Sequence, residues 1–484
     1  MTISSALNSA MSGLRAATRA SELVSSNIAN VMTPGYARRT LSLSSATTGA
    51  ASGVRVDGVQ RNVDAQVVAD LRLASSEFSY RTNTSAFLTR LEHLIGAADQ
   101  SDSLSGRLAD FEKNLITASS RPDATERLDI LAMTARDLTV SINSVSDGIQ
   151  ASRTQAENSI SQHVTRLNDA LRGVQKLNIS ITAASAKQVQ TAAFQDQRRA
   201  LIDQINEIVP VRVIERDHGA VALYSTGGVI LLDGRAADIG FEANRTVTAH
   251  MSLENGALSG LTIDGFPAGS SSGSGRLDGG RLGAEFEIRD ILAPNAQVQI
   301  DALARDLIER FESSDVDPTF VSGSSSLFTD SGSGFDPMTE VGLASRLALN
   351  PIVDPTKDGE SWRLRDGLRA SAPGLTGDAT LLNAWADALT VSRSQSSSSF
   401  APSALSAEGV FASLTSRVAS NRMREDQLLS FTSAQFYELT NLDLSNGVDT
   451  DVELQNMMVI EQAYAANARV IEAVDQMFNT LLGI

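Results

Sequence analysis

Chemistry in this chain would have to come from a handful of places, and each lacks the spacing its reaction needs. The tract Gly269-Ser270-Ser271-Ser272-Gly273 has the letters of a hydrolase nucleophile elbow. An elbow requires an apolar strand that delivers its serine onto a tight turn; this one lies in a Ser/Gly run and reads as a flexible loop. The four histidines, His93, His163, His218 and His250, are scattered without ligand spacing and read as surface residues. Asp315, Asp317, Asp330 and Asp336 fall in a polar stretch without the closing Glu of a calcium loop, so they read as solvated turn residues. No Gly-rich phosphate loop ending in Lys-Ser/Thr occurs. With no cysteine, disulfides, thiolate metal sites and cysteine nucleophiles are excluded. The expectation is a protein of assembly surfaces, with no catalytic residue, no cofactor and no metal.

Composition points the same way. The 484 residues suit about three domains at ~150 residues each. Aromatics are only 5%, and Ala, Ser and Leu dominate, which favours long helices packed through small side chains. A net charge of -17 repels phosphate backbones, so no nucleic acid is expected as partner. No apolar run approaches the ~20 residues of a membrane span, and no membrane insertion is expected.

The elements that organise the chain lie at its two ends. Ile3, Leu7, Ala10, Leu14, Ala17, Ser21, Val24, Ile28 and Val31 keep a four-three spacing, the seam of a coiled coil. Small seam residues bury little apolar area, so this helix needs a partner. After Asn27-Ile28-Ala29-Asn30 it must stop: Thr33 precedes a proline, Pro34-Gly35 suits the centre of a type II turn, and Tyr36 offers an aromatic anchor. A Ser-rich, acid-poor N-terminus also resembles a transit peptide. Against that, Met457, Ile460, Tyr464, Asn467, Ile471, Val474, Phe478 and Leu481 form a matching seam at the far end, which a cleaved presequence would not require.

Between the ends, alternation around Leu41 to Val59 predicts a small hairpin. Helical spacing runs from Asp64 to Leu115 and breaks at Pro122. Asp123 and Glu126 suggest a capping box, opening a very long helix with its seam from Leu128 to Ile149 and again from Val164 to Ile181. Pro210 ends the helical half. Val211 to Asp264 reads as strands joined by tight turns, including Asp233-Gly234, Asn255-Gly256 and Asp264-Gly265. Helix returns from Leu282 to Phe311. Ser313 to Gly377 is irregular, with strand-like pieces such as Trp362 to Leu364, and helix resumes from Asp378 with a Ser-rich interruption at Ser392 to Ser399.

With both ends in view, the chain resembles the axial proteins of the bacterial flagellum, the rod, hook and hook-associated family. The N-terminal pattern is Ala10-Met11-Ser12-Gly13-Leu14, Ser26-Asn27-Ile28-Ala29-Asn30 and Thr33-Pro34-Gly35-Tyr36; the C-terminal one runs from Glu461-Gln462-Ala463-Tyr464 through Asn467 to Met477-Phe478. Tyr36-Ala37-Arg38, Gly53-Val54-Arg55-Val56, Gly279-Gly280-Arg281-Leu282-Gly283 and Leu349-Asn350-Pro351 are most like the hook-associated members at the junction between hook and filament. One departure is the entry to the last helix, Asn446-Gly447-Val448-Asp449-Thr450-Asp451.

The resemblance implies a mainly α fold with an inserted β domain: discontinuous terminal coiled-coil helices, a long helical bundle rod and an all-β outer domain. It places 1–60 with 441–484 in an inner core, 61–209 with 281–320 and 376–440 in the rod, 210–280 in the outer domain, and 321–375 as an irregular β segment packed on either. The implied function is a structural subunit, exported through the type III flagellar apparatus and polymerised at the hook tip outside the cell. Its partners would be itself in a helical polymer, hook protein, a second hook-filament junction protein, the export apparatus and an export chaperone at the C-terminal helix. The assembly interface would be carried by Ile3, Leu7, Leu14, Val24, Asn27, Ile28, Asn30, Pro34, Gly35 and Tyr36 at one end, and by the eight seam residues from Met457 to Leu481 at the other. Other readings are another axial protein (hook, distal rod or second junction protein), a secreted adhesin with a helical stalk, or a peptidoglycan-cleaving enzyme fused to flagellar ends.

Overall fold

The computed structural model describes residues 3–33, 35–48, 51–97, 99–187, 189–268, 274–394 and 404–483; of residues 46–48, 51, 52, 481 and 482 it describes the backbone alone. Pro34, the Gly269–Gly273 tract and most of the Ser392–Ser399 interruption lie outside the described residues, as does the side chain of Leu481.

The chain opens with α1 (Ile3–Ala29), followed by a two-stranded antiparallel ribbon, β1 (Arg38–Thr48) and β2 (Ala51–Asn62). This ribbon is longer than the sequence suggests and is bulged between Ser42 and Leu43. α2 (Ala65–Ile95) is capped by Asp64, whose carboxylate accepts from the backbone N–H of Gln66 and Val67. After α3 (Leu104–Ser120), the chain runs through α4 (Thr125–Ala186), the spine of the molecule. At ~1.5 Å per residue it is roughly 90 Å long.

The capping box expected at Asp123 and Glu126 does not form. Ala124 occupies the N-cap of α4 without a side-chain bond, because its N–H closes a turn on Arg121 O that uses Pro122 and Asp123 as central residues. The α4 seam from Leu128 to Ile149 and from Val164 to Ile181 is buried throughout.

Two cores share this spine. The first half of α4 packs with α3, α7 (Ala293–Phe311), α10 (Thr380–Thr390) and the start of α11 (Ala407–Ser445). This core also takes in the segment 327–368, with β10 (Phe328–Asp330) paired to β11 (Leu347–Leu349) and the short helices α8 (Leu343–Arg346) and α9 (Arg363–Asp366). Trp362 to Leu364 is therefore not a strand. Arg365 and Asp366 donate their N–H groups to Trp362 O, and the Arg363 guanidinium stacks 4.6 Å from the Trp362 ring centroid.

The second half of α4 packs with α5 (Ala192–Ile208) and the β region. Here β3 (Val211–Glu215), β4 (Val221–Ser225), β5 (Ile230–Asp233) and β6 (Arg235–Ala236) form one sheet in sequence order. A smaller sheet holds β7 (Ile239–Gly240), β8 (Thr262–Ile263) and β9 (Phe266–Pro267). Asn255-Gly256 makes a turn without a hairpin. The Asn255 side chain accepts from Ser252 and Ala257 N–H, and the loop closes on its own backbone.

α6 (Gly280–Glu287) continues into α7 through a π-helical turn, Ile288–Leu292. A small strand pair, β12 (Arg393–Ser394) and β13 (Ala404–Leu405), precedes α11. The later part of α11 runs antiparallel along α2, with Phe78 stacked on Phe436 at 5.1 Å and Ser85 Oγ donating to Asp426. α12 (Thr450–Leu482) returns beside α1.

Candidate assembly interface

The terminal helices meet antiparallel. Ser21 Oγ lies 3.3 Å from Met457 Sδ, Asn27 reaches Glu453, and Gly13 faces Asn467. A Cβ on Gly13 would come within 2.8 Å of the Asn467 amide, so a larger residue there would make the Asn467 side chain turn away. Asn467 is half-buried and turns its own Nδ2 to Ala463 O at 2.9 Å. The buried asparagine of the pair is Asn27, 1% exposed.

Asn27 uses both ends of its amide. Nδ2 donates to Glu453 Oε2 at 3.1 Å and to Arg39 O at 2.9 Å. Oδ1 accepts from Tyr36 Oη–H at 2.9 Å and Arg39 N–H at 3.0 Å. Glu453, also 1% exposed, takes Arg38 Nε on its other oxygen at 2.7 Å. Arg39 stacks 4.7 Å from the Tyr36 ring and pairs with Asp196 of α5, which receives Arg61 as well. One corner thus ties α1, α12, the ribbon and α5 through hydrogen-bonded and ion-paired groups, with Arg39 Nε left unpaired, and any slip in register would strand a buried charge.

The turn that aims Tyr36 into this corner has Gly35 at φ +78°, and Tyr36 N–H donates to Thr33 O at 3.1 Å, as a type II turn requires. At the other side, Asp449 caps α12 by accepting from Asp451 and Val452 N–H at 2.9 and 3.2 Å. The departure in sequence at this entry therefore keeps a working cap.

Of the other expected interface residues, Val24 and Val474 are buried. Ile3, Leu7, Leu14, Ile28, Met457, Ile460 and Ile471 are half-buried, as is Asn30, whose Nδ2 donates to Ser26 O. Tyr464 and Phe478 stay 46% and 41% exposed. Val31 lies past the helix end and is exposed. The pair therefore brings the two seams together and leaves much of α12 bare: Leu454, Met458, Val459, Val470 and Met477 are all exposed. The seam search missed these five because it follows one track, and they recur at helical spacing on the tracks beside it.

Sequence reasoning also missed a charged node at the α6–α7 junction. Arg289, on the π turn, pairs with Glu157 of α4 at 2.6 Å, both side chains 0% exposed. Arg153 donates to Arg289 O, Thr248 O and Met251 O, tying the 241–259 loop to the spine. The signal was the polar break in the α4 seam, where Arg153 and Glu157 hold inward positions between Ile149 and Val164.

Two expected surface groups are buried. His163 is 8% exposed, and burial, with Arg281 and Arg166 nearby, pushes its pKa down to about 4. Asp317 is 1% exposed and accepts from Thr319 and Leu368 N–H. Among the described residues no group of three or more His, Asp or Glu side chains could hold a metal ion, and no helix is long and apolar enough to cross a membrane.

Known proteins carry the same regions. Residues 88–316 match the helical domain of flagellar hook-associated protein FlgK, residues 7–36 the flagella basal body rod proteins, and residues 445–484 the C-terminal region of flagellar basal body rod FlgEFG proteins. All three matched models are of flagellar proteins, and together they take in both terminal helices and the spine. Flagellar hook-associated protein 1 of Salmonella typhimurium is 32% identical over 243 residues, which span 49% of this chain and 44% of that protein, less than half its length. The protein of that name from Escherichia coli K12 is 23% identical over the whole of both chains. The structure of the flagellar hook junction protein FlgK from Burkholderia pseudomallei is similar at 18% identity and a TM-score of 0.43, over 54% of this chain and 46% of that one.

Proposed function

We propose that this chain is a structural subunit of the bacterial flagellum, exported and polymerised at the hook tip as the junction between hook and filament. The observation that carries the reading is the terminal pair. α1 and α12 are joined through the Asn27–Glu453 corner, yet α12 keeps exposed apolar side chains along its length. Such a helix pair is complete only when neighbouring subunits cover it. Both ends fall within regions matched to rod proteins, and the spine within one matched to a hook-associated protein.

On this reading, 1–60 with 441–484 form the inner tube, 61–209 with 281–320 and 376–440 the rod around it, and 210–280 the outer face. The segment 321–375 belongs with the rod, since Phe328, Leu343, Leu347, Val353 and Leu364 lie in its core. The interface residues are those of the two seams, and self, hook protein and a second junction protein cover them. Before assembly the export apparatus accepts the chain, and a chaperone shields α12.

Electron microscopy of a deletion strain tests this. Intact hooks with filament protein shed to the medium support a junction subunit. Absent hooks would assign the chain to the rod or hook, and normal filaments would refute both. A chain truncated before Met457 should not restore filaments.

A further inference from the structure

Between the ribbon, the start of α2, α5 and β3 lies a groove of about 540 Å³. Its floor includes Val63, Val68, Leu73 and Ile202, and its walls carry five arginines, Arg61, Arg72, Arg198, Arg199 and Arg212, against two carboxylates, Asp70 and Glu215. In a chain of net charge -17, such a concentration of cations stands out. Three of the five are neutralised: Arg61 by Asp196 at 2.6 Å, Arg72 by Asp203 at 2.7 Å and Arg199 by Asp443 at 2.6 Å. Arg198 reaches only neutral oxygens, Asn178 Oδ1 at 2.9 Å and Gly219 O at 2.7 Å. Burial, then the nearby Arg61, pushes its pKa down to about 10 against a smaller opposing pull from Glu215. Arg212 is exposed on the lining of the same groove.

The complementary surface lies on α12. Leu454, Met458, Glu461, Ala465, Glu472 and Asp475 share one face by helical spacing, and all six are exposed. This face cannot fill its own groove. α12 starts at the Asn27–Glu453 corner and runs back along α1, so Glu461 and Glu472 stand roughly 12 and 28 Å beyond Glu453 at ~1.5 Å per residue.

We propose that the groove seats the last helix of a second copy of this chain, with the incoming Met458 and Ala465 on the apolar floor and the incoming Glu461 and Glu472 against Arg198 and Arg212. The inference rests on the reading of the chain as a polymerising subunit. Groove and helix face are different patches, so the contact is head-to-tail and does not close on two copies. Its charges set register and approach, and salt weakens it.

The test uses two purified full-length chains. One carries Arg198→Glu with Arg212→Glu, the other Glu461→Arg with Glu472→Arg, and circular dichroism checks that each is folded. In sedimentation at low salt, the unaltered chain should associate without limit as concentration rises. Each altered chain alone should lose at least about tenfold in association constant. An equimolar mixture should recover it, because each acidic patch then meets a basic one. Arg212→Glu alone serves if the half-buried Arg198 proves necessary for folding. An unaltered chain that stays monomeric, a folded altered chain that associates like the unaltered one, or a mixture that stays apart would each overturn the proposal. Its failure is separable from that of the junction reading: if folded charge-reversed chains restore filaments to the deletion strain in full, the groove contact falls and the junction role stands.

Discussion

The spine and the terminal pair are both made of long helices with seams at four-three spacing, yet they are finished to different degrees. Along α4, Leu138, Ile142, Leu167, Leu171, Val174 and Ile181 are all 0% exposed, enclosed by helices on one half and by α5 and a sheet on the other. Along α12, Glu453 and Val474 are the buried side chains among those described, while Val459 is 64% and Met458 57% exposed. A seam predicts where a helix will be covered, but not whether the chain itself supplies the cover. The spine is a completed core; the terminal pair, on the function proposed above, is one side of an interface, fixed in register by a polar corner.

Four substitutions and one titration probe that contrast. The largest effect should come from Glu157→Ala, which removes the buried carboxylate shared by Arg289 and the Asn244 N–H and leaves the guanidinium with Asp290 as its one remaining carboxylate. Loss of one member of a buried pair costs about 3–5 kcal/mol. Thermal unfolding should show it, and an unchanged melting temperature would mean that water replaces the carboxylate. Next, Leu138→Ala in the spine should cost about 2–5 kcal/mol, whereas Ile460→Ala, at a half-buried position of the terminal pair, should cost under about 1 kcal/mol in the monomer. In the polymer the second should gain weight, raising the critical concentration. Equal costs in the monomer would erase the distinction between the two regions.

A pH titration separates the same regions, because the two shifted groups that it follows both lie in one of them. Burial lifts the Glu285 carboxyl on α6 from its ordinary 4.5 to about 7. An acid raised in the folded state stabilises below its unfolded pKa, so its contribution is lost as pH rises from about 4.5 through 7. His163, held down to about 4, works in the opposite direction, and its contribution is lost as pH falls from about 6.5 through 4. Glu285→Gln should flatten the loss toward neutral pH, and His163→Gln the loss toward acid. Both groups belong to the spine and its packing, so the helicity of the terminal pair should not follow either titration. The smallest effect is expected of Asp449→Ala, which removes the cap of α12 at a cost of about 1 kcal/mol. Circular dichroism should register a small loss of helix; no change would mean that the corner at Glu453 alone holds the start of α12.

Most of the helical skeleton was legible because its signals are local. The α4 seam, the break at Pro210 and the turn at Gly35 each follow from a periodicity or a backbone restriction visible in a few residues. A hairpin and the β region likewise followed from alternation and turn residues, although the ribbon extends through the Ser44 to Gly53 tract that separated its two alternating runs. What failed needed tertiary knowledge. Asp123 looked like a cap until Pro122 drew it into the preceding turn. Trp362 to Leu364 alternates like a strand over a stretch too short to outweigh helical hydrogen bonds. His163 and Asp317 read as solvated because residue type was weighed above position; Ile160, Val164 and Leu167 already placed His163 on the inward face of α4. At the interface, Asn27 carried a recognisable pattern, but its partner Glu453 lies 426 positions away and only the fold joins them. The Arg289–Glu157 pair was hidden for the same reason, and the exposed tracks of α12 were hidden because one seam was taken for the whole helix.

The central claim is that the terminal pair is an interface awaiting its other half. Amide exchange of the full chain, followed by mass spectrometry as monomer and as polymer, tests it most directly. The account predicts fast exchange across Ile3 to Ala29 and Met457 to Leu481 in the monomer, slow exchange along α4 in the same molecules, and strong protection at both ends once the chain polymerises. Terminal helices as protected in the monomer as α4, with no further gain on assembly, would contradict it.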